Sequence, residues 1–133
     1  MLKYMLDTDI AIYVIKNRPA AARAQFQQQQ GRLCVSSVTV MELMYGAEKS
    51  AQPERNLRDI EGFTRRLSVL DYDEKAAFHT AQIRAELEKS GTPIGAYDQM
   101  IAGHARSCGL IVVTNNIREF QRVSGIRIEN WAQ

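Results

Sequence analysis

Three carboxylates stand on apolar segments of this chain, where a folded protein ordinarily places none. Asp7 ends the apolar run KYML. Glu42 lies in VTVMELMYGAEK, with Val38 four residues before it, Tyr45 three after it, and Met41 and Leu43 beside it. Asp98 has Ile101, Ala102 and Ala105 at i+3, i+4 and i+7, which aligns it with the apolar stripe of a helix. A buried, unpaired carboxylate costs several kcal/mol or takes up a proton, so three of them require an explanation. Each could pair with one of the 12 arginines, and for any single acid that is the simpler reading. Yet no Arg occurs three or four residues from Asp7, Glu42 or Asp98, and taken together the three acids favour a shared cation. Oxygen ligands without His or Cys suit Mg²⁺ or Mn²⁺ better than zinc. A carboxylate-held cation of that kind, with open coordination positions, is an apparatus for hydrolysing phosphodiesters. A fourth segment joins these three. After the apolar run LIVVT comes TNNIREF, which presents Thr114, the neutral oxygen donor Asn116, and Glu119 as a ligand acting directly or through water.

The elements that position these residues alternate between strand and helix. Lys3 to Leu6, Leu33 to Val35, Val69 to Tyr72 and LIVVT read as strands. Helices are expected from Asp9 to Lys16 with Thr8 as cap, and from Pro19 to near Gly31. Further helices run through VTVMELMYGAEK behind a Ser36 or Ser37 cap, through PERNLRDIEGFTRRL, from Asp73 to near Gly91, and through AYDQMIAGHARSC up to Gly109. This alternation predicts an α/β fold, a central mostly parallel sheet flanked by helices on both faces. Asp7 then falls at a C-terminal strand end, where open parallel sheets place their ligands, with Thr114 at a second and adjacent one.

A length of 133 residues, without repeat or linker, fits one domain spanning 1–133, in which any active site must be carved from a single fold. The charge balance, 17 − 15 = +2, does not by itself mark a nucleic-acid binder, although Arg supplies most of the cations and matches phosphate well. Asp7 and Asp9 interrupt what would be the apolar core of a signal peptide, and no stretch is long enough to span a bilayer, so a soluble, cytoplasmic protein is expected. Cys34 and Cys108 lack metal-ligand spacing and are expected as buried, reduced thiols.

The segments MLDTD, VTVMELMYGAEKS, GTPIGAYDQMIAGHA and TNNIREFQRVSGIRIENW, in this order over essentially the whole chain, resemble the VapC toxins, PIN-domain ribonucleases of bacterial toxin–antitoxin pairs. The resemblance implies a metal-dependent endoribonuclease with Asp7, Glu42 and Asp98 as core acidic ligands. The fourth acidic position of many PIN domains falls at Asn116, as in closely similar VapC sequences, so either Asn116 or Glu119 completes the metal site. Where most relatives read DTN this chain reads DTD, and Asp9 either adds charge to the pocket or caps the first helix. The implied mechanism is in-line attack of a metal-activated water on RNA, leaving a 5′-phosphate and a 3′-hydroxyl, with Thr8 and Thr114 orienting ligands or substrate. The implied partners are a VapB antitoxin whose C-terminal segment wraps the toxin, a second copy in a homodimer, and operator DNA only through the antitoxin. The most similar toxins point to a tRNA substrate, the anticodon stem-loop of initiator tRNA.

Two other readings compete. A haloacid-dehalogenase-like phosphatase also opens with an apolar strand and DxD, but needs a later strand-end Lys and an acidic pair where this chain has TNN. A non-catalytic binding module would hold the same acids in Arg pairs and show no metal dependence. His79 and His104 lie on Ala-rich helices and read as packing or surface residues; Trp131, Phe120 and Tyr97 read as core or interface residues. The mixed-charge helix PERNLRDIEGFTRRL reads as a solvated or partner-facing surface. Arg18, Arg23 and Arg32, away from acids in sequence, are the candidate phosphate contacts.

Overall fold

Five strands hydrogen-bond in the order β3-β2-β1-β4-β5, and every pairing is parallel. The computed structural model describes residues 1–132. The strands are β1 (Tyr4–Leu6), β2 (Leu33–Ser36), β3 (Ser68–Leu70), β4 (Ile111–Val113) and β5 (Ile128–Glu129). The helices are α1 (Thr8–Ile15), α2 (Ala20–Gln28), α3 (Ser37–Glu48), α4 (Pro53–Thr64), α5 (Glu74–Lys89), α6 (Ala96–Cys108) and α7 (Ile117–Phe120). From β1 the chain builds outward through β2 and β3, then crosses back to lay β4 and β5 on the other side. The order therefore reverses between β1 and β4, and the crevice above their C-terminal ends is where such sheets bind ligands.

Alternation along the strands splits the core into two layers. Tyr4 and Leu6 face one side with Ile10, Val14, Phe26, Leu43, Ile60 and Phe63, so α1, α2 and α4 and part of α3 cover that face. Met5, Cys34 and Val112 face the other with Ile83, Leu87, Ile101, Ala105 and Phe120, from α5, α6 and α7. Both faces are thus covered, and the three central strands are buried at every position. Helices α5 and α6 approach closely because Gly103 has no side chain: a Cβ there would lie 2.8 Å from Cα and 2.7 Å from the backbone nitrogen of Thr80.

Several expectations are corrected. The cap of α1 is Asp7, whose Oδ1 accepts from the backbone N–H of Ile10 at 2.9 Å, because Thr8 is already helical and its hydroxyl turns elsewhere. The strand expected from Val69 to Tyr72 is the edge strand β3; it ends at Leu70 and leaves Val69 exposed, since an edge has one neighbour and little cover. The expected Leu33–Val35 strand extends to Ser36, which caps α3 by accepting from Val38 N–H at 3.1 Å. Cys108 is exposed at the last position of α6, beside the left-handed cap Gly109; Cys34 is buried as expected, and burial pushes its thiol up to about 12. The short α7 and β5 carry too few residues for a periodic signal.

Candidate active site

The β1–β4 ladder continues one step past its last paired residues, Leu6 and Val113: Asp7 N–H donates to the Val113 carbonyl at 2.9 Å. This places Asp7 directly against Thr114, whose hydroxyl donates to Asp7 Oδ2 at 2.5 Å and accepts from Asn116 N–H at 2.8 Å. Asp7 is 2% exposed. Burial raises its pKa from the ordinary carboxylate range to about 7, against the lowering effect of the Thr114 and Ile10 hydrogen bonds, and the charges of Asp9 and Asp98 add to the rise.

Asp98 enters from the first turn of α6, half-buried, with Gln99, Ile101 and Ala102 below it in the core. Its pKa rises to about 6, first by burial and then by the charges of Glu119, Glu42 and Asp9. Through the charges acting on Asp7 and Asp98, Asp7, Asp9, Glu42, Asp98 and Glu119 form one electrostatic group. Glu42 comes from the middle of α3, where its Oε1 accepts from the Thr8 hydroxyl at 2.7 Å. The Thr8 hydroxyl also lies 3.2 Å from that of Thr39, which is fully buried. Glu42 is half-buried, as its sequence setting suggested, but α3 is not enclosed on all sides: Met41, Met44 and Tyr45 are exposed, and Glu42 sits at the border between them and the buried Val38, Thr39, Leu43 stripe. Glu119 and Asn116 meet on the far side, where the Asn116 amide donates to Glu119 Oε2.

Arginine does not neutralise this group. Among the described residues the ion pairs within 4 Å are Arg65–Glu61 and Arg84–Glu88, both exposed pairs along one helix, and neither touches the cluster. The acids repel one another without a neighbouring cation, which is the environment that hard divalent cations relieve. The carboxylates nevertheless do not form a ready cage: among the described residues no three His, Cys, Asp or Glu side chains stand close enough together to hold a metal ion as they are. Asp9 is exposed at the rim and, with the cap role taken by Asp7, its contribution is charge.

The remaining candidates fall elsewhere. His104 is buried, its Nδ1 2.8 Å from Ser36 Oγ and its ring edge-on to Tyr72, and burial lowers its pKa. His79 accepts from Arg106 Nε at 2.8 Å. Trp131 and Phe120 are buried, Trp131 packing edge-to-face on Tyr4, whereas Tyr97 is exposed next to Asp98. Arg32 precedes β2 and so lies at the opposite end of the sheet from Asp7; Arg23 is exposed on α2 and Arg18 follows α1. Thr39 is the site residue that sequence reasoning missed. Its signal was a hydroxyl three residues before Glu42, on the same helix face.

The likeness of this chain to known proteins runs over nearly its whole length. Residues 4–126 match the family model of the PIN domain. The chain is 65% identical over 132 residues to the tRNA(fMet)-specific endonuclease VapC of Shigella flexneri, covering 99% of this chain and 100% of that protein. It is 60% identical over 131 residues to Ribonuclease VapC2 of Haemophilus influenzae, covering 98% and 99%. Among solved structures, DNA-bound VapBC from Salmonella typhimurium matches with a TM-score of 0.94 at 64% identity, covering 98% of this chain and 99% of that one. VapBC2 from Rickettsia felis, bound to a DNA fragment from its promoter, matches at 0.92 with 36% identity over the same shares. With a crevice of unpaired acids at the sheet's switch point and this likeness over nearly its whole length, the chain belongs to the PIN-domain family and, within it, to the VapC proteins.

Proposed function

We propose that this chain is the ribonuclease toxin of a VapBC-type toxin–antitoxin pair, a metal-dependent endoribonuclease that hydrolyses a phosphodiester bond of tRNA. The observation that carries the reading is the convergence of Asp7, Glu42, Asp98 and Glu119 from four separate elements with no cationic side chain among them. PIN-domain nucleases generally depend on a divalent metal, and a donor set of carboxylates and one amide oxygen suits Mg²⁺ or Mn²⁺. Asp7, Asp98 and Glu42 would hold the cation, with Asn116 and Glu119 completing the site from the β4 side. Bound there, it would neutralise charge on the phosphoryl group and make water a stronger acid.

The chain's own residues prepare that site. Asp7 has both oxygens fixed, one by the α1 N-terminus and one by Thr114, so the carboxylate cannot rotate away. Thr114 is itself oriented by Asn116 N–H, which couples the Asp7 rotamer to the turn carrying Asn116 and Glu119. Thr8 does for Glu42 what Thr114 does for Asp7. Such outer hydrogen bonds set ligand orientation at metal sites.

Initiator tRNA, at its anticodon stem-loop, is the substrate this reading favours, supported by the name of the Shigella relative. A VapB antitoxin is the partner, supported by the VapBC complexes among the structural matches; operator DNA is then contacted through the antitoxin, and the toxin pairs with a second copy. The described residues hold no helix long and apolar enough to cross a membrane, and the reading places the protein in the cytoplasm. The phosphatase alternative gains no support, because the residues ending the strands or following them directly, Asp7, Ser36, Asp71, Thr114 and Asn130, include no Lys. The test is to incubate the purified protein with total tRNA and Mg²⁺ or Mn²⁺, with and without EDTA, and to map new 5′ ends. Cation-dependent cuts bearing 5′-phosphates are expected; cleavage that survives EDTA overturns the reading.

A further inference from the structure

A groove of about 710 Å³ opens between α1, α3 and α4 and has Glu42 in its wall, so it leads directly out of the acid cluster. Ile12, Ile15 and Leu43 form its apolar floor. Its rims carry Lys16 and Arg18 on one side and Arg55 on the other, all exposed, and none has a carboxylate within 4 Å. The one polar contact among them is weak, from Arg55 to Gln52 Oε1 at 3.3 Å. A second observation concerns Gly46, four residues after Glu42 on the groove side of α3. A glycine inside a helix costs about 0.5–1 kcal/mol relative to alanine. At Gly46 a Cβ would meet no atom within 4 Å, so packing does not demand the glycine. What it preserves is depth beside Glu42.

We infer that this groove is the track for the single-stranded RNA flanking the scissile phosphate, with Lys16, Arg18 and Arg55 on the neighbouring phosphates. Cations on both rims can neutralise a backbone running between them, and an apolar floor accepts the faces of unstacked bases. A volume of about 710 Å³ has room for a short single strand. Asp59 is the only rim acid apart from Glu42, leaving the rims net positive beside a net negative centre. That polarity draws phosphates to the groove and leaves the acid cluster for the metal. The inference rests on the ribonuclease reading above.

The test is binding of a labelled anticodon stem-loop RNA, followed by fluorescence anisotropy in EDTA so that nothing is cut, over a salt series. For the variant K16Q/R18Q/R55Q the expected result is about tenfold or greater weakening and a salt slope reduced by about 2, from roughly 0.7 per lost phosphate contact. G46F, which fills the groove, should also weaken binding while its thermal melt shows a folded protein. The control K3Q/R32Q/R127Q removes three cations that lie together around the N-terminal ends of the strands and should leave affinity and slope as in the unmodified chain. Unchanged binding in the first two variants overturns the inference and leaves the groove to a protein segment; loss confined to the control moves the RNA to the patch around Lys3 and Arg32. Failure of the ribonuclease reading would show separately, as no cation-dependent cleavage by the unmodified protein.

Discussion

Replacing Asp7 by Asn should stabilise the metal-free protein. Burial raises Asp7 from 3.8 to about 7. A raised folded-state pKa means that the group's contribution to stability is fully present below the unfolded value and is lost as pH rises through the folded value, here between about pH 4 and pH 7. At 1.36 kcal/mol per pKa unit, holding this carboxylate ionised at pH 8 without a cation costs about 4 kcal/mol. Asn removes that charge, retains an oxygen for Ile10 N–H and is an equally good helix cap. It disturbs Thr114, which now donates to Oδ2, at about 1 kcal/mol for one rearranged hydrogen bond. The net gain is about 2–3 kcal/mol, or roughly 7–11 °C in Tm for a chain of this length. The assay is a thermal melt of both proteins in EDTA at pH 5 and pH 8. D7N should melt well above the unmodified chain at pH 8, the gap should shrink at pH 5, where the carboxyl is protonated, and D7N should lose stabilisation by Mn²⁺. A D7N that is less stable at both pH values would make Asp7 an ordinary structural cap and not a carboxylate held ionised at a cost.

Three further outcomes follow from the same geometry. Gly103→Ala drives a methyl into the Thr80 backbone, so it should cost about 1–3 kcal/mol and lower Tm by roughly 4–11 °C, while leaving cleavage per folded molecule intact. His104→Leu strips Ser36 of its side-chain partner in the core, leaving it only the Val38 N–H, and should cost about 1–3 kcal/mol in a denaturant melt, whereas His104→Asn, which keeps a polar atom near the Nδ1 position, should recover part of it. Mn²⁺ affinity, measured by calorimetry, should fall as pH drops through about 7 and then about 6, because protonated Asp7 and Asp98 cannot serve as ligands; flat affinity over that range would remove both from the site.

The candidate site was legible in the sequence because acids on apolar segments break a pattern. Asp7 after KYML and Asp98 above Ile101, Ala102 and Ala105 are conspicuous, and the strand–helix alternation placed Asp7 and Thr114 at neighbouring strand ends. What stayed hidden depends on three-dimensional neighbours. That Asp7 rather than Thr8 caps α1 follows from Thr8 turning to Glu42, 34 residues away. The exposure of Met41, Met44 and Tyr45 could not be told from burial by composition, since α3 is apolar on nearly every side and the fold decides which side is covered. Likewise nothing local shows that Arg32 sits at the wrong end of the sheet for the acids while Arg18 and Arg55, far apart in sequence, face one groove.

If the separately placed acids form one divalent-cation site that cuts RNA, Asp98→Asn must abolish both cation binding and cleavage, and the variant is informative because Asp98 carries no helix cap and no hydrogen bond that the fold requires. Tm with and without Mn²⁺, and cleavage of total tRNA, should be measured on the same preparations. The unmodified protein should be stabilised by Mn²⁺ and cut tRNA; D98N, relieved of a carboxylate that burial and the neighbouring acids hold above its ordinary range, should melt at or above the unmodified protein without metal while losing both responses. Full Mn²⁺-dependent cleavage by a folded D98N would mean that Asp98 is no ligand and that the acids do not act as one site.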